Sequence, residues 1–167
     1  MAHNQTAGSV LQISVSKGGV PKRAIPEGVV NELGLEGDEH ANPQVHGGPK
    51  QALLFITVEG IEELKQAGFP LFPGALGENI TTIGLDRRAW RIGQRWRVGP
   101  EVVVEFTKIR VPCNTLNRYG AGRIQKAVYD DLIKEGDSSS AHWGLSGAYA
   151  RVIHGGALHP GDSIQPA

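Results

Sequence analysis

Apolar and polar positions alternate along much of the chain with a period of two. Across Ser9 to Ser16, Val10, Gln12 and Ser14 alternate with Leu11, Ile13 and Val15, which predicts a half-buried strand. Ile25 to Val30 predicts a second strand. Gln51 to Thr57, apolar from Ala52 to Ile56, predicts a buried one. Thr57 then caps a short helix on which Val58, Ile61 and Leu64 lie three apart, ending near Gly68. After the turn-rich passage Pro70 to Gly77, Glu78 to Gly84 predicts another strand. Ile92 to Gly99 and Val102 to Val111 predict two more, joined at Gly99-Pro100. In the second of these, Val102, Val104, Phe106, Lys108 and Arg110 alternate with Val103, Glu105, Thr107, Ile109 and Val111. Arg123 to Glu135 predicts the best helix, with Ile124, Ala127, Val128, Leu132 and Ile133 on one stripe and Gly136 as its stop. Ser138 to Ser140 reads as a mobile linker, and Ser146 to His154 and Gly161 to Gln165 as the last strands. Many short strands in antiparallel succession with two or three helices predict a β-rich, barrel-like fold.

Composition agrees. With 23 Gly and 10 Pro in 167 residues, the chain is punctuated too often for a helical bundle. Lys plus Arg equals Asp plus Glu at 17 each, so no basic excess points to nucleic acid or an anionic membrane surface. The longest apolar run, Ala52 to Ile56, falls far short of the roughly 18 residues a membrane span needs. No basic segment followed by an apolar core opens the chain. These features predict a cytoplasmic protein with a flexible N-terminus over 1–8 and a single domain over 9–167. Cys113 is the one cysteine, which excludes an internal disulfide and any all-cysteine zinc or iron-sulfur site within the chain.

Three stretches carry candidate chemistry. Lys17-Gly18-Gly19-Val20-Pro21-Lys22-Arg23 combines three cations with two glycines and a proline, a composition suited to facing an anion or to a solvated turn. Gly34 to Lys50 is an irregular stretch containing His40, His46 and Gly47-Gly48, longer than most structureless loops in compact domains. Cys113 follows Arg110-Val111-Pro112 and precedes Asn114-Thr115-Leu116-Asn117-Arg118. An unperturbed thiol with a pKa of about 8.5 is only slightly ionised at neutral pH, and Arg110 and Arg118 favour its thiolate. A single cysteine also serves as a small buried hydrophobe. The six histidines lack metal-site spacing, His40 and His46 standing six apart and His154 and His159 five apart, and read as loop residues. His46 is the leading candidate for a proton donor beside Cys113. A thiol hydrolase built on Cys113 and His46 has no local signature here, and Gly120-Ala121-Gly122 does not make a dinucleotide-binding turn.

In order along the chain, Ser14-Val15-Ser16-Lys17-Gly18-Gly19-Val20-Pro21-Lys22, His46-Gly47-Gly48-Pro49-Lys50-Gln51-Ala52, Pro73-Gly74-Ala75-Leu76-Gly77-Glu78-Asn79-Ile80, Arg110-Val111-Pro112-Cys113 and Gly161-Asp162 together resemble the MOSC domain, named for the C-terminal domain of molybdenum cofactor sulfurase. The likeness is greatest to small stand-alone bacterial members. It implies a strand-rich barrel that binds molybdenum cofactor, a molybdopterin whose metal takes one protein cysteine. Cys113 falls on that position, and a thiolate suits a sulfur-coordinated metal. Lys17 and Gly18 fall where relatives hold the cofactor phosphate, with Arg23 as a helper. Glu78, Asn79, Thr81 and Thr82 match the strand lining the pterin pocket, and Arg110, Asn114 and Thr115 flank the cysteine. Relatives that reduce N-hydroxylated compounds imply an oxidoreductase acting on such a small molecule. Its electrons would come from a separate reductase or ferredoxin-like protein, since the chain shows no flavin motif. The pyridoxal-phosphate and N-terminal β domains of larger members are not in evidence, so the implied activity is independent of pyridoxal phosphate. The alternative is a carrier in which Cys113 holds cofactor or a persulfide without turnover.

Overall fold

A computed structural model describes residues 7–39 and 48–167. Eleven strands run in chain order: β1 Gly8–Val15, β2 Arg23–Ile25, β3 Gly28–Asn31, β4 Gly34–Leu35, β5 Leu53–Thr57, β6 Ile80–Ile83, β7 Arg95–Val98, β8 Val102–Ile109, β9 Ala148–His154, β10 Gly156–Leu158 and β11 Ser163–Pro166. Among the described residues three short α-helices lie between these strands: α1 Val58–Gln66, α2 Arg123–Val128 and α3 Asp131–Lys134. Strand order β11-β7-β8-β9-β5-β6-β1, with β1 also paired to β11, closes a seven-stranded barrel. Closure removes the exposed edges that an open sheet would carry. Strand β2 adds to β1 outside the barrel, and β10-β3-β4 forms a small second sheet.

The barrel interior follows from the alternation. Phe106 sits among Phe55, Trp90 and Trp96 at ring-centroid distances of 5.6, 5.1 and 6.1 Å, all four rings buried. Full burial of a side chain of this class stabilises the fold by roughly 1.5–3 kcal/mol. A second apolar cluster lies outside the barrel wall, where Ile61 and Leu64 of α1 pack with Leu116, Ile124 and Val128. That cluster fixes the chain that follows β8.

Several expectations are corrected. The barrel is not wholly antiparallel, because α1 returns the chain so that β5 and β6 pair in parallel. The strand expected over Ile25 to Val30 divides into β2 and β3 around Pro26, which has no N–H for a ladder. The helix expected over Arg123 to Glu135 breaks in two. Tyr129 is extended at φ -152°, Asp130 caps α3 by accepting from the Ile133 amide, and Leu132 points outward at 43% exposure. An Asp inside an apolar stripe competes for backbone amides and starts a new helix instead of continuing the old one. Ser138 to Ser140 forms an ordered turn, with Ser140 buried and its hydroxyl donating to Asp130 at 2.5 Å. His154 lies on β9, not in a loop, with Nδ1 2.9 Å from the Glu101 carbonyl oxygen.

In β8 the expected alternation holds to Phe106 and then slips. A bulge between Phe106 and Lys108 changes the register with β9 and leaves Ile109 and Arg110 both buried. The bulge exposes Lys108 and turns Ile109 inward, and Arg110 follows, buried, at the barrel end where β1 and β8 finish and β6 and β9 begin.

Candidate functional site

The site assembles at that end of the barrel. Arg110 is fixed on both sides of its backbone, its amide donating to Gly147 O at 2.9 Å and its carbonyl accepting from the Ser146 hydroxyl at 2.6 Å. Arg110 is 4% exposed, and its guanidinium donates from Nη1 to Leu76 O at 2.6 Å. Nε has no partner, and no carboxylate pairs with Arg110 among the described residues. A buried cation held this way leaves its charge to neighbouring groups.

Three residues on, Cys113 takes an extended conformation and caps a short 3₁₀ helix, Asn114–Tyr119. The Cys113 carbonyl accepts from Leu116 N and from Gln125 Nε2 of α2, each at 3.2 Å. Sγ is half-buried and lies 2.8 Å from the Thr115 hydroxyl. Burial pushes this thiol up, but the Thr115 hydroxyl and amide and the Arg110 guanidinium outweigh it and hold the group below the ordinary thiol range. Tyr149, opposite Lys108 across the β8–β9 ladder, is buried and feels both Arg110 and Cys113.

Glu78 enters from the start of β6 and is fully buried. Desolvation raises its pKa to about 7 against the opposing pull of backbone amides, Arg110 and the Thr81 hydroxyl. Thr81 donates to Oε2 at 3.3 Å, while Oε1 has no partner. The Tyr119 hydroxyl, also unpartnered, feels the Glu78 charge, and Thr82 Oγ1 is a further buried oxygen without a partner. Orphaned polar atoms are rare in folded proteins and mark places where a ligand or water completes the bonding.

The Lys17 to Arg23 segment is pinned beside this group. Arg118 Nη1 donates to Val20 O, and Lys22 N donates to Gly74 O at 2.9 Å. Lys17 is exposed at an isolated bridge to Glu39, and Arg23 is exposed on β2. The Gly18 amide turns back to Ser16 Oγ at 3.3 Å. Lys22 is not free to face an anion, since its Nζ lies 2.6 Å from Asp38 in a buried ion pair. Asp38 also accepts from Asn79 Nδ2 at 2.8 Å and Ser16 N at 2.9 Å. Asn79 Oδ1 accepts from Leu54 N, so its amide joins β1, β5 and β6. Gly74 closes the clamp at φ +94°, where an added Cβ would lie 2.3 Å from Lys22 O. Gly74→Ala is expected to cost about 2 kcal/mol in urea unfolding; an unchanged midpoint would show that the clamp has slack.

The structure thus brings together Cys113, Arg110, Thr115 and Glu78 with Thr81, and sets Lys17, Gly18 and Arg23 on the adjoining segment. Asn114 is exposed at the start of the 3₁₀ helix. His46 lies outside the described residues. No group of three or more metal-binding side chains occurs among the described residues, which exclude His40 as well as His46. Sequence reasoning missed Tyr119, Tyr149 and the Lys22–Asp38 pair. The spacing of three between Leu116 and Tyr119 hinted at the first, and no sequence signal marked Asp38.

The family model for the MOSC domain matches residues 42–165. The chain belongs to the MOSC domain family. This MOSC chain is 40% identical over 94 residues to protein YiiM of Escherichia coli, a match covering 53% of this chain and 41% of that protein. It is 30% identical over 136 residues to a protein named reductase from Gibberella moniliformis, covering 78% of this chain and 22% of the other. It therefore spans less than half the length of either relative. The crystal structure of YiiM from Geobacillus stearothermophilus superposes with a TM-score of 0.70 at 22% identity, over 96% of this chain and 75% of that one, which shows the shared MOSC barrel. Among the described residues no helix is long and apolar enough to cross a membrane.

Proposed function

We propose that this MOSC chain binds molybdenum cofactor through Cys113 and, so loaded, reduces N-hydroxylated small molecules with electrons from a separate reductase or ferredoxin-like protein. The observation that carries the reading is the Cys113 thiol, half-buried and held toward its thiolate beside a buried arginine without an ion pair. Family membership and the reductase name of one relative support it.

The residues fit such a group. A soft thiolate is a ligand for a sulfur-bound metal, and an unpaired buried cation accommodates the negative charge such a group brings. Arg110 Nε, Glu78 Oε1 and Thr82 Oγ1 are buried bonding atoms without a hydrogen-bond partner inside the protein. When bound, the cofactor supplies two-electron exchange at its metal. Cys113 would hold the metal, and the Thr115 hydroxyl steadies the sulfur. Lys17 and Gly18, with Arg23 beside them, would take the phosphate, while Glu78, Thr82 and Asn114 offer polar groups to the pterin. Asn79 and Thr81 serve in support, the first by joining three strands and the second by orienting Glu78.

Reduction of a test amidoxime by cofactor-loaded protein with an artificial electron donor tests the activity. Turnover above that of free cofactor is expected; binding without turnover would leave the carrier role. Lys17→Ala is expected to weaken cofactor retention about three- to tenfold, the loss of one exposed charge-assisted contact. An unchanged dissociation constant would remove Lys17 from phosphate binding.

A further inference from the structure

Glu78 and Arg110 form an unusual pair. Both are buried, Arg110 Nη1 donates to the Leu76 carbonyl two residues before Glu78, an added Cβ at Gly77 would lie 3.9 Å from Arg110 Nη2, and yet no hydrogen bond joins the two side chains. Each keeps one orphaned atom, Oε1 on Glu78 and Nε on Arg110. Arg110 also acts on Cys113 and Tyr149. Its charge is therefore shared between a carboxyl on one side and the cysteine on the other.

We propose that Glu78 is a positioning residue that acts through Arg110, leaving the guanidinium charge to Cys113 and its anionic ligand when protonated and cancelling that charge when ionised. The inference rests on the cofactor reading above and adds to it that the site takes its anionic group together with a proton. The groups facing Glu78 among the described residues are Arg110 at the end of β8 and Tyr119 from the 3₁₀ helix, with Arg118 acting on Tyr119 in turn. Thr81 lies on its own strand. A carboxyl that ionises near pH 7 places the changeover within the physiological range. An anion at Arg110 favours the protonated form, and by linkage the protonated form favours the anion.

Binding of isolated molybdenum cofactor to the cofactor-free protein is measured by titration calorimetry at pH 6 and pH 8 in buffers of different ionisation enthalpy. Cys113 releases its thiol proton to solvent on ligation in both proteins, so the comparison between them isolates Glu78. Relative to Glu78→Gln, wild type is expected to lose about tenfold more affinity between pH 6 and pH 8 and to take up about one more proton per cofactor bound at pH 8. The same pH slope and the same proton count in both proteins would overturn the inference. Absence of binding at either pH would instead refute the cofactor reading, and infrared spectra of the cofactor-free protein then decide the Glu78 inference alone. With the Glu78→Gln spectrum subtracted, a carboxylic acid at pH 6 that becomes carboxylate by pH 8 is expected. A carboxylate at both values would overturn it.

Discussion

Lys22→Met is expected to destabilise the protein by about 3–5 kcal/mol, because it strips the cation from a carboxylate that has almost no access to water. The Asp38 side chain is 3% exposed and Lys22 8%, with Nζ 2.6 and 2.7 Å from the two carboxylate oxygens. Removing both charges is the informative control. In Lys22→Met with Asp38→Asn, most of the loss should return, since the neutral amide replacing the Asp38 carboxylate would still accept from Ser16 N and no unpaired charge would stay buried. The pair joins the residue before β2 to the chain after β4, while Ser16 and Asn79 tie Asp38 to the end of β1 and the start of β6. Loss of the single lysine should therefore loosen the segment that carries Lys17 as well as lower stability. Urea unfolding at pH 7 measures both variants; a single-variant loss under about 1 kcal/mol would show that water reaches Asp38.

Glu78→Gln is expected to remove a pH dependence from folding stability. The ordinary glutamate value is 4.5, and burial raises Glu78 to about 7 in the folded protein. Between those values the folded state holds a proton that the unfolded chain has released, so wild-type stability falls as pH rises across this window and levels off above it. The full difference amounts to about 3 kcal/mol. Below pH 4.5 both states are protonated and the contribution is constant. The stability of Glu78→Gln relative to wild type should thus be greater at pH 8 than at pH 5 by about that amount. An equal difference at both pH values would mean that Glu78 ionises as an exposed carboxyl does.

Much of the barrel was legible because its strands obey one rule. Phe55, Val104 and Phe106 lie in period-two or continuous apolar runs and are buried in the interior, whereas Val10 and Ile13, on opposite faces of the expected alternation, are both buried because the register of β1 against β6 shifts between Val10 and Gln12. What misled was local. Tyr129 and Asp130 interrupt a stripe that otherwise reads as one helix, because the energy of a capping carboxylate depends on geometry that periodicity does not encode. The β8 bulge is similarly silent in sequence, yet it sends Lys108 outward and brings Ile109 inward, the reverse of the alternation.

For the site, residue type singled out Cys113 and Arg110, and order along the chain supplied the resemblance that grouped them with Glu78 and Lys17. Three cations near Gly18 looked equivalent in sequence. Burial separates them: Lys22 is consumed by Asp38, sixteen residues away in an irregular stretch, while Lys17 and Arg23 stay exposed. Distances across the fold of this kind have no periodic trace. Tyr119 and Tyr149 likewise gain their place by lying within reach of the Glu78 and Arg110 charges, which only tertiary structure defines.

The most direct test of the central claim is the molybdenum and pterin content of wild type and Cys113→Ala, both purified from a host that makes the cofactor. Near-stoichiometric metal and pterin in wild type, with metal lost from a Cys113→Ala protein that still unfolds cooperatively, is the predicted result. Metal and pterin absent from wild type even after incubation with isolated cofactor, or equal metal in both proteins, would contradict it.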